Sequence, residues 1–202
     1  MRINTGIPSP MRYFQTLSLG GQNNYFGATA YMYQGYELAL ASGTIYFLPV
    51  FLGRKFLLKQ YGIIISQFTT SGPMHIGFYE DSGDGTRRAK KLVEAYENVT
   101  VSATGFISKT LATPKMLHKG KLYWAAVEMG SGVFSARCGW WGIAPLCAFD
   151  YWSGYPTSKM AHGGYGTRTW QSTMEDPYAE GWGWTKQYIP LVFMREVNQN
   201  GT

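Results

Sequence analysis

The acidic residues that lie closest together in the chain are Glu80, Asp81 and Asp84. Acid–base catalysis needs two titratable groups in one pocket, but these three border a Gly-rich segment that follows a short run of β-forming residues. Asp and Gly are preferred in turns, because Asp bonds its own backbone and Gly accepts a positive φ. We therefore interpret the cluster as a turn. Its oxygens could bind Ca²⁺, but the late Glu of an EF-hand loop is missing, so we predict no metal site.

The other residues that carry chemistry show no catalytic spacing. His75, His118 and His162 are far apart, and we expect His75 to pack within a strand. No Gly-x-Ser-x-Gly elbow accompanies the serines, and no Gly-rich phosphate loop ends in Lys-Ser or Lys-Thr. The sequence therefore predicts no catalytic residues and no cofactor. One alternative stays open: a carbohydrate-active enzyme that uses Asp81, Asp84 or Glu128.

Aromatic side chains are the best candidates for recognition. They make up 16% of the chain, and many fall in a long tract at residues 139–184 with little periodicity. Flat rings can stack on sugars or fill a partner's pockets; the alternative is that they pack against one end of the fold or in a subunit interface. The candidates for carbohydrate or partner binding are Trp140, Trp141, Tyr151, Trp152, Tyr155, Trp170, Trp182 and Trp184.

The charges argue against nucleic acid as a partner. The net charge is +6, but only 15% of residues are charged, and the cations are scattered apart from one cluster at residues 87–91. A nucleic-acid footprint is normally a denser patch, whereas anionic polysaccharide fits these charges. The apolar runs are too short to span a bilayer, and residues 1–24 lack the apolar core of a signal peptide. We expect neither a membrane partner nor Sec export.

The two cysteines, Cys138 and Cys147, are nine positions apart. Two cysteines alone form no zinc site. They are either two buried thiols or a disulfide that closes a loop.

Stretches with a two-residue period or β-forming composition predict a chain made of strands. Residues 86–97 are ambiguous, because Ala89, Leu92, Val93 and Tyr96 have helical spacing; we favour a strand there. Pro49 places its own strand at an edge or a bulge. The predicted strands cover residues 45–52, 57–68, 76–79, 98–111, 121–129, 133–138 and 188–195.

These elements predict an all-β fold, an antiparallel β-sandwich with long aromatic-rich loops. Residues 1–42 contain Pro, Gly and polar residues, and we interpret them as an extended N-terminal arm for anchoring or assembly. Residues 43–202 form the sandwich domain. The apolar residues of the arm need a surface to bury against, which favours docking on a neighbouring subunit.

In order and spacing, several stretches resemble a β-sandwich module found in tail-fibre and related virion proteins of tailed bacteriophages. The resemblance covers roughly residues 44–195. It departs from the module at the basic residues 87–91 and in the Trp-rich tract. The resembling pieces are residues 44–51, 61–65, 69–72, 75–81, 92–93, 99–105, 122–126 and 189–193.

The resemblance implies a jelly-roll-like sandwich and a homotrimer that contacts other virion proteins. The expected function is a non-enzymatic virion structural protein, tail-fibre or receptor-binding-like, that mediates assembly and attachment to a host-surface glycan. The alternative is a capsid decoration or head-fibre subunit without a receptor role. Such a protein is made in the host cytoplasm and resides on the surface of the virion. With its short arm, the chain resembles a short virion component rather than an entire fibre.

Overall fold

The computed structural model describes residues 16–18, 24–27, 37–52, 55–83, 89–139, 148–149, 160–161, 163–178, 183–185 and 189–197. Across these ranges the chain forms strands and no helix. The strands are β1 (Thr16–Ser18), β2 (Asn24–Gly27), β3 (Glu37–Ala39), β4 (Thr44–Phe51), β5 (Phe56–Thr70), β6 (Gly72–Asp81), β7 (Ala89–Val101), β8 (Gly105–Leu117), β9 (Leu122–Met129), β10 (Val133–Gly139), β11 (Ala148–Phe149), β12 (Met160–Ala161), β13 (Gly163–Thr167), β14 (Gly183–Thr185), β15 (Ile189–Pro190) and β16 (Val192–Glu196).

Two antiparallel sheets pack face to face, which confirms the predicted all-β sandwich. One sheet has the order β14-β13-β4-β9-β6-β7. The other has the order β1-β2-β16-β5-β10-β15, with β8 beside β5 and β3 beside β10. A separate two-stranded ladder joins β11 and β12. Apolar residues of alternating positions fill the space between the sheets, among them Phe78, Val127, Tyr61, Ile63 and Phe134.

Within the six-stranded sheet, β6 and β9 form an antiparallel pair in which Gly77 lies opposite Ala126. Residues 74–79 of β6 and 123–129 of β9 are buried without interruption. A strand with one wet face would alternate between buried and exposed residues, so an unbroken buried run indicates that both faces of this pair are covered. The sandwich core covers one face. The segment that covers the other face forms the site described below.

Strand β7 settles the ambiguous stretch as a strand, so the helical spacing of its apolar residues was misleading. Its ladder with β6 shifts register three times, and each shift adds an extra residue on β7. Extra residues of this kind are β-bulges, which interrupt the two-residue alternation of a strand. One bulge includes Asn98, whose φ of 51° is accepted more readily by Asn than by most residues. Bulges therefore produced a spacing that imitates a helix.

The other strand predictions hold with shifted bounds. Pro49 pairs with Trp124 of β9 and lies beyond the residues of β4 that pair with β13, so among the described residues it has the predicted edge position. Residues 98–111 divide between the end of β7 and the start of β8. Within the segment interpreted as an arm, β2 pairs with β16 and β3 pairs with β10, so parts of residues 1–42 add strands to the sandwich. The boundary at residue 42 stays a prediction.

Candidate functional site

The outer face of the six-stranded sheet is covered by residues 168–178, which we call the strap. Met174 and Tyr178 of the strap pack in one apolar cluster with Phe47, Tyr79 and other residues of the sheet. The backbone anchors both ends: Arg168 N–H donates to the Gly43 carbonyl at 2.9 Å, and Tyr178 N–H donates to the Lys90 carbonyl at 2.8 Å. The strap therefore crosses the sheet from the β4 side to the β7 side.

Further hydrogen bonds join the middle of the strap to strand β7. Met174 N–H donates to Oε1 of Glu97 at 2.7 Å, and Oδ1 of Asp176 accepts from Leu92 N–H at 2.9 Å. The first bond satisfies a backbone N–H of the irregular strap, and the second satisfies a backbone N–H of β7. A segment without regular structure is thus held in one conformation by side chains from the sheet and by its own.

Two glycines in the sheet make room for the strap. A Cβ at Gly77 would lie 2.5 Å from Sδ of Met174, and a Cβ at Gly130 would lie 2.5 Å from the Trp170 ring. Neither distance is compatible with a real Cβ, so both positions allow a close approach that other residues would prevent. The sequence of the sheet is thus adapted to being covered.

A fully buried ion pair lies beneath the strap. Arg168 Nε donates to Glu128 Oε1 at 2.8 Å and Arg168 Nη2 donates to Glu128 Oε2 at 2.5 Å, with both side chains 0% exposed. Burial by itself would lower the pKa of Arg168, but the hydrogen bonds and the charge of Glu128 raise it above its ordinary value. The guanidinium is therefore permanently charged, and its bidentate hydrogen bonding to Glu128 fixes the strap to β9.

Two further groups surround this pair. Arg168 Nη1 lies 4.0 Å from Oε2 of Glu175, and neither atom has a hydrogen-bond partner among the residues described. The Tyr79 hydroxyl donates to the backbone carbonyl of Glu175 at 2.8 Å. Burial raises the pKa of Tyr79 well above its ordinary value, and Arg168 opposes this only in part. Tyr79 is thus a neutral donor at every physiological pH.

His75 joins the strap to the bulge of β7. Its Nδ1 accepts from the Asn98 N–H at 3.0 Å, and its Nε2 lies 2.9 Å from the Gln171 carbonyl, to which it donates. Because Nδ1 accepts and Nε2 donates, these bonds define one neutral tautomer. The imidazole is fully buried and stacks on Trp170, with ring centroids 4.0 Å apart. His75 therefore packs within a strand, as predicted, and its two nitrogens hold two different segments together.

The acidic turn also has a structural role. One oxygen of Asp81 accepts from the Gly83 N–H at 3.2 Å, the bond expected of an Asp in a turn, and the other accepts from Trp124 Nε1 at 2.9 Å. Glu80 lies 3.7 Å from the Lys121 ammonium group. Asp84 lies outside the described residues. Both oxygens of Asp81 are thus used to hold the turn against β9.

Of the eight aromatic candidates, the structure describes the side chain of one, Trp170. Its ring is half-buried, with one face against His75 and Gly130, so it packs the strap against the sheet. Trp184 lies in β14, where its backbone pairs with Gly164. The remaining candidates lie outside the described residues: Trp140, Trp141, Tyr151, Trp152, Tyr155 and Trp182.

The structure thus brings together a group of buried polar residues that sequence reasoning did not assemble. The sequence pattern makes Glu128 a candidate only under the enzyme alternative, and it does not single out Arg168. No local signal joins residues 40 positions apart in the chain. Since Glu128, Arg168, His75 and Tyr79 all bond to one another or to the strap, the arrangement is suited to holding the strap. Within the described ranges, no three His, Cys, Asp or Glu residues are grouped to hold a metal ion.

The remaining features concern single residues and the chain as a whole. Cys138 carries a free, buried thiol, and burial raises its pKa to about 12, while Cys147 lies outside the described residues. Among the residues described, no helix is long and apolar enough to cross a bilayer. Comparison of the chain with known protein families finds no matching family, and comparison with curated proteins finds no relative.

Proposed function

We propose that this protein is a structural component of a tailed-bacteriophage particle, of the tail-fibre or receptor-binding kind. The observation that carries the proposal is the position of the segments that resemble the phage module. Nearly all of them fall in strands of the sandwich: residues 44–51 form β4, residues 75–81 lie in β6, and residues 122–126 lie in β9. Because the resembling segments follow the order of the strands, the resemblance concerns the fold. A shared fold does not by itself establish a shared function, so the function is tested separately.

The buried titratable groups favour a non-enzymatic role. A general acid or base needs a group that can exchange its proton with a substrate. Glu128 is held by Arg168 in a fully buried ion pair, and both nitrogens of His75 are bonded within the fold. These buried groups thus serve to hold the fold together.

The N-terminal strands favour a role in assembly. Strands β2 and β3 are short and join the sandwich through backbone pairing with β16 and β10. Strand addition of this kind works equally well between subunits, because backbone pairing does not depend on which chain supplies the strand. We propose a homotrimer in which the segment of residues 1–42, besides pairing within its own chain through β2 and β3, docks on a neighbouring subunit or on another virion protein. The protein is then made in the host cytoplasm and carried on the surface of the virion.

A density map of the intact particle tests this function directly. We expect the sandwich to be found at the tail or the capsid surface in threefold copies, and the purified protein to block adsorption of the phage to its host. A protein found on the capsid that leaves adsorption unchanged would be a decoration or head-fibre subunit. A purified monomer that is absent from particles and hydrolyses host polysaccharide would overturn the proposal.

A further inference from the structure

The fold gathers lysines that are dispersed along the chain at one end of the sandwich. Strands β4, β6 and β8 end there, and β5, β7 and β9 begin there. The ladders show this, because Phe51 pairs with Leu122, Glu80 pairs with Tyr123, and Phe56 pairs with Leu117. The ends of β4, β6 and β8 and the beginnings of β5, β7 and β9 therefore share one end of the molecule.

This end, which we call the lysine end, is defined by four exposed residues: Lys90, Lys91, Lys119 and Lys121. Lys91 pairs with Glu80 across the β6–β7 ladder, and the Lys121 ammonium group lies 3.7 Å from the Glu80 carboxylate. Neighbouring strands lie about 4.8 Å apart, so the backbones of Lys91 and Tyr123, which pair with Glu80 from the two sides of β6, are roughly 10 Å apart. Lys121 lies two residues before Tyr123. Lys55 is exposed at the same end.

The turn that carries two of these lysines is held in place by the fold. Gly120 N–H donates to the Leu52 carbonyl at 3.0 Å, which ties residues 118–121 to the end of β4. Nearby acids offset part of this positive charge. Glu80 lies 3.7 Å from the Lys121 ammonium group, Asp81 follows it in the chain, and Asp176 accepts from the Leu92 N–H beside Lys91.

At the opposite end of the sandwich, the described connections hold no charged residue: residues 40–43, residue 71, residues 102–104 and residues 130–132 consist of Leu, Ala, Ser, Gly and Thr. Between these two sets of described connections, the lysines lie at one end, which favours the approach of a polyanion there.

We propose that the lysine end binds an anionic polysaccharide through its carboxylate, sulfate or phosphate groups. This rests on the proposed function in one respect: the host surface is what presents the glycan. Lysine ammonium groups bind such anions as point charges. In nucleic-acid complexes, contacts of this type do not read the base sequence. A surface of four lysines thus suits a polymer that repeats the same negatively charged group along its length.

The test uses the full-length protein and three defined probes: dextran sulfate, polygalacturonate and neutral dextran, each measured by biolayer interferometry. We expect both anionic probes to bind, neutral dextran not to bind, and affinity to fall steeply as salt is raised. The variant Lys119→Ser/Lys121→Ser should lose roughly fivefold per lysine. The variant Lys90→Ser/Lys91→Ser should lose a similar factor.

The matched control is Lys109→Ser/Arg137→Ser, which removes the same charge from the middle of strands β8 and β10. It should retain nearly full binding, and circular dichroism should show that all three variants are folded. An equal loss in the control would overturn the inference, because net charge alone would then explain binding. Binding of a DNA duplex as tight as that of dextran sulfate would overturn the assignment to polysaccharide.

The outcomes separate this inference from the proposed function. If the protein is found in particles and blocks adsorption but binds neither anionic probe, the lysine end is not the glycan site and the proposed function stands. If the lysines bind the anionic probes but the protein is absent from particles, the inference about the surface stands and the proposed function fails.

Discussion

Breaking the buried ion pair beneath the strap should be the most destabilising polar change in the sandwich. In Arg168→Met, the carboxylate of Glu128 stays buried without its two hydrogen bonds. In Glu128→Leu, the guanidinium of Arg168 stays buried without the same two bonds. Both side chains are 0% exposed, so no water replaces the lost partner. Removing one partner of a buried pair costs about 3–5 kcal/mol, and we expect each single variant to lose this much.

The double variant Glu128→Leu/Arg168→Met should lose much less than the sum of the two. It leaves no unpaired charge, and apolar residues of similar volume replace a buried ion pair at little cost. We therefore expect a coupling free energy of at least about 2 kcal/mol in the double-mutant cycle. The measurement is urea unfolding followed by circular dichroism, with the slope of the transition checked for each variant.

The matched control is the exposed pair Lys121 and Glu80, whose side chains are 54% and 36% exposed at a separation of 3.7 Å. Lys121→Met should cost less than about 1 kcal/mol, because water screens and replaces the partner. Additive losses in the buried cycle, or a cost of Arg168→Met no larger than that of Lys121→Met, would refute the reasoning. If a single variant is too unstable to purify, the double variant and the control still test the coupling, since the double variant must then be folded.

Three other substitutions and one labelling reaction test separate contacts. Tyr61→Phe should leave the free energy of unfolding unchanged or raise it by up to about 1 kcal/mol, because the buried Tyr61 hydroxyl has no partner among the described residues. Tyr79→Phe should lower the free energy of unfolding by about 1 kcal/mol, because the Tyr79 hydroxyl loses its hydrogen bond to the strap. Gly130→Ala should cost about 1–3 kcal/mol, because its new methyl group overlaps the Trp170 ring. Cys138, whose pKa is raised to about 12 by burial, should resist iodoacetamide at pH 8, since the reactive thiolate is then scarce, and react on unfolding.

Each of these has its own check. Thermal unfolding ranks the two tyrosine variants, and a Tyr61→Phe loss larger than the Tyr79→Phe loss would contradict the assignment. For Gly130→Ala, truncation of the clashing ring in Gly130→Ala/Trp170→Ala should cost less than the sum of the single changes, and strict additivity would show that the ring is not the cause. Peptide mapping by mass spectrometry locates the alkylated thiol; rapid labelling of Cys138 in the native protein would mean that its strand opens readily.

The function that the chain's composition predicts depends on residues the structure describes only in part. The density of rings in the aromatic tract predicts a recognition surface. Among its candidates, Trp170 packs on His75. Its ring serves the strap, which is the packing alternative considered for these residues. The other candidates keep their status as predictions, and the lysine end is an independent candidate for contact with a glycan.

Local pattern determined most of the framework. The alternation at residues 61–66 and the turn-forming residues around Gly83 are properties of neighbouring positions, and a strand needs only such neighbours to be recognised. The β-forming residues at 121–129 likewise predict a strand without reference to its partner. Where bulges add residues, as in β7, the same local pattern misled, because the period of two no longer holds.

Tertiary structure alone decided what covers the sheet and which charges meet. Glu128 and Arg168 are 40 positions apart, and His75 and Gln171 are 96 apart. Such contacts depend on how far each strand runs and on which ladder it joins, and no window of sequence contains that information. The same holds for the lysines of residues 90, 91, 119 and 121, which are dispersed in the chain but adjacent in space because three strands end where three others begin. A sequence thus specifies its strands through near neighbours, whereas its buried charges and its charged surface arise only when distant strands are brought side by side.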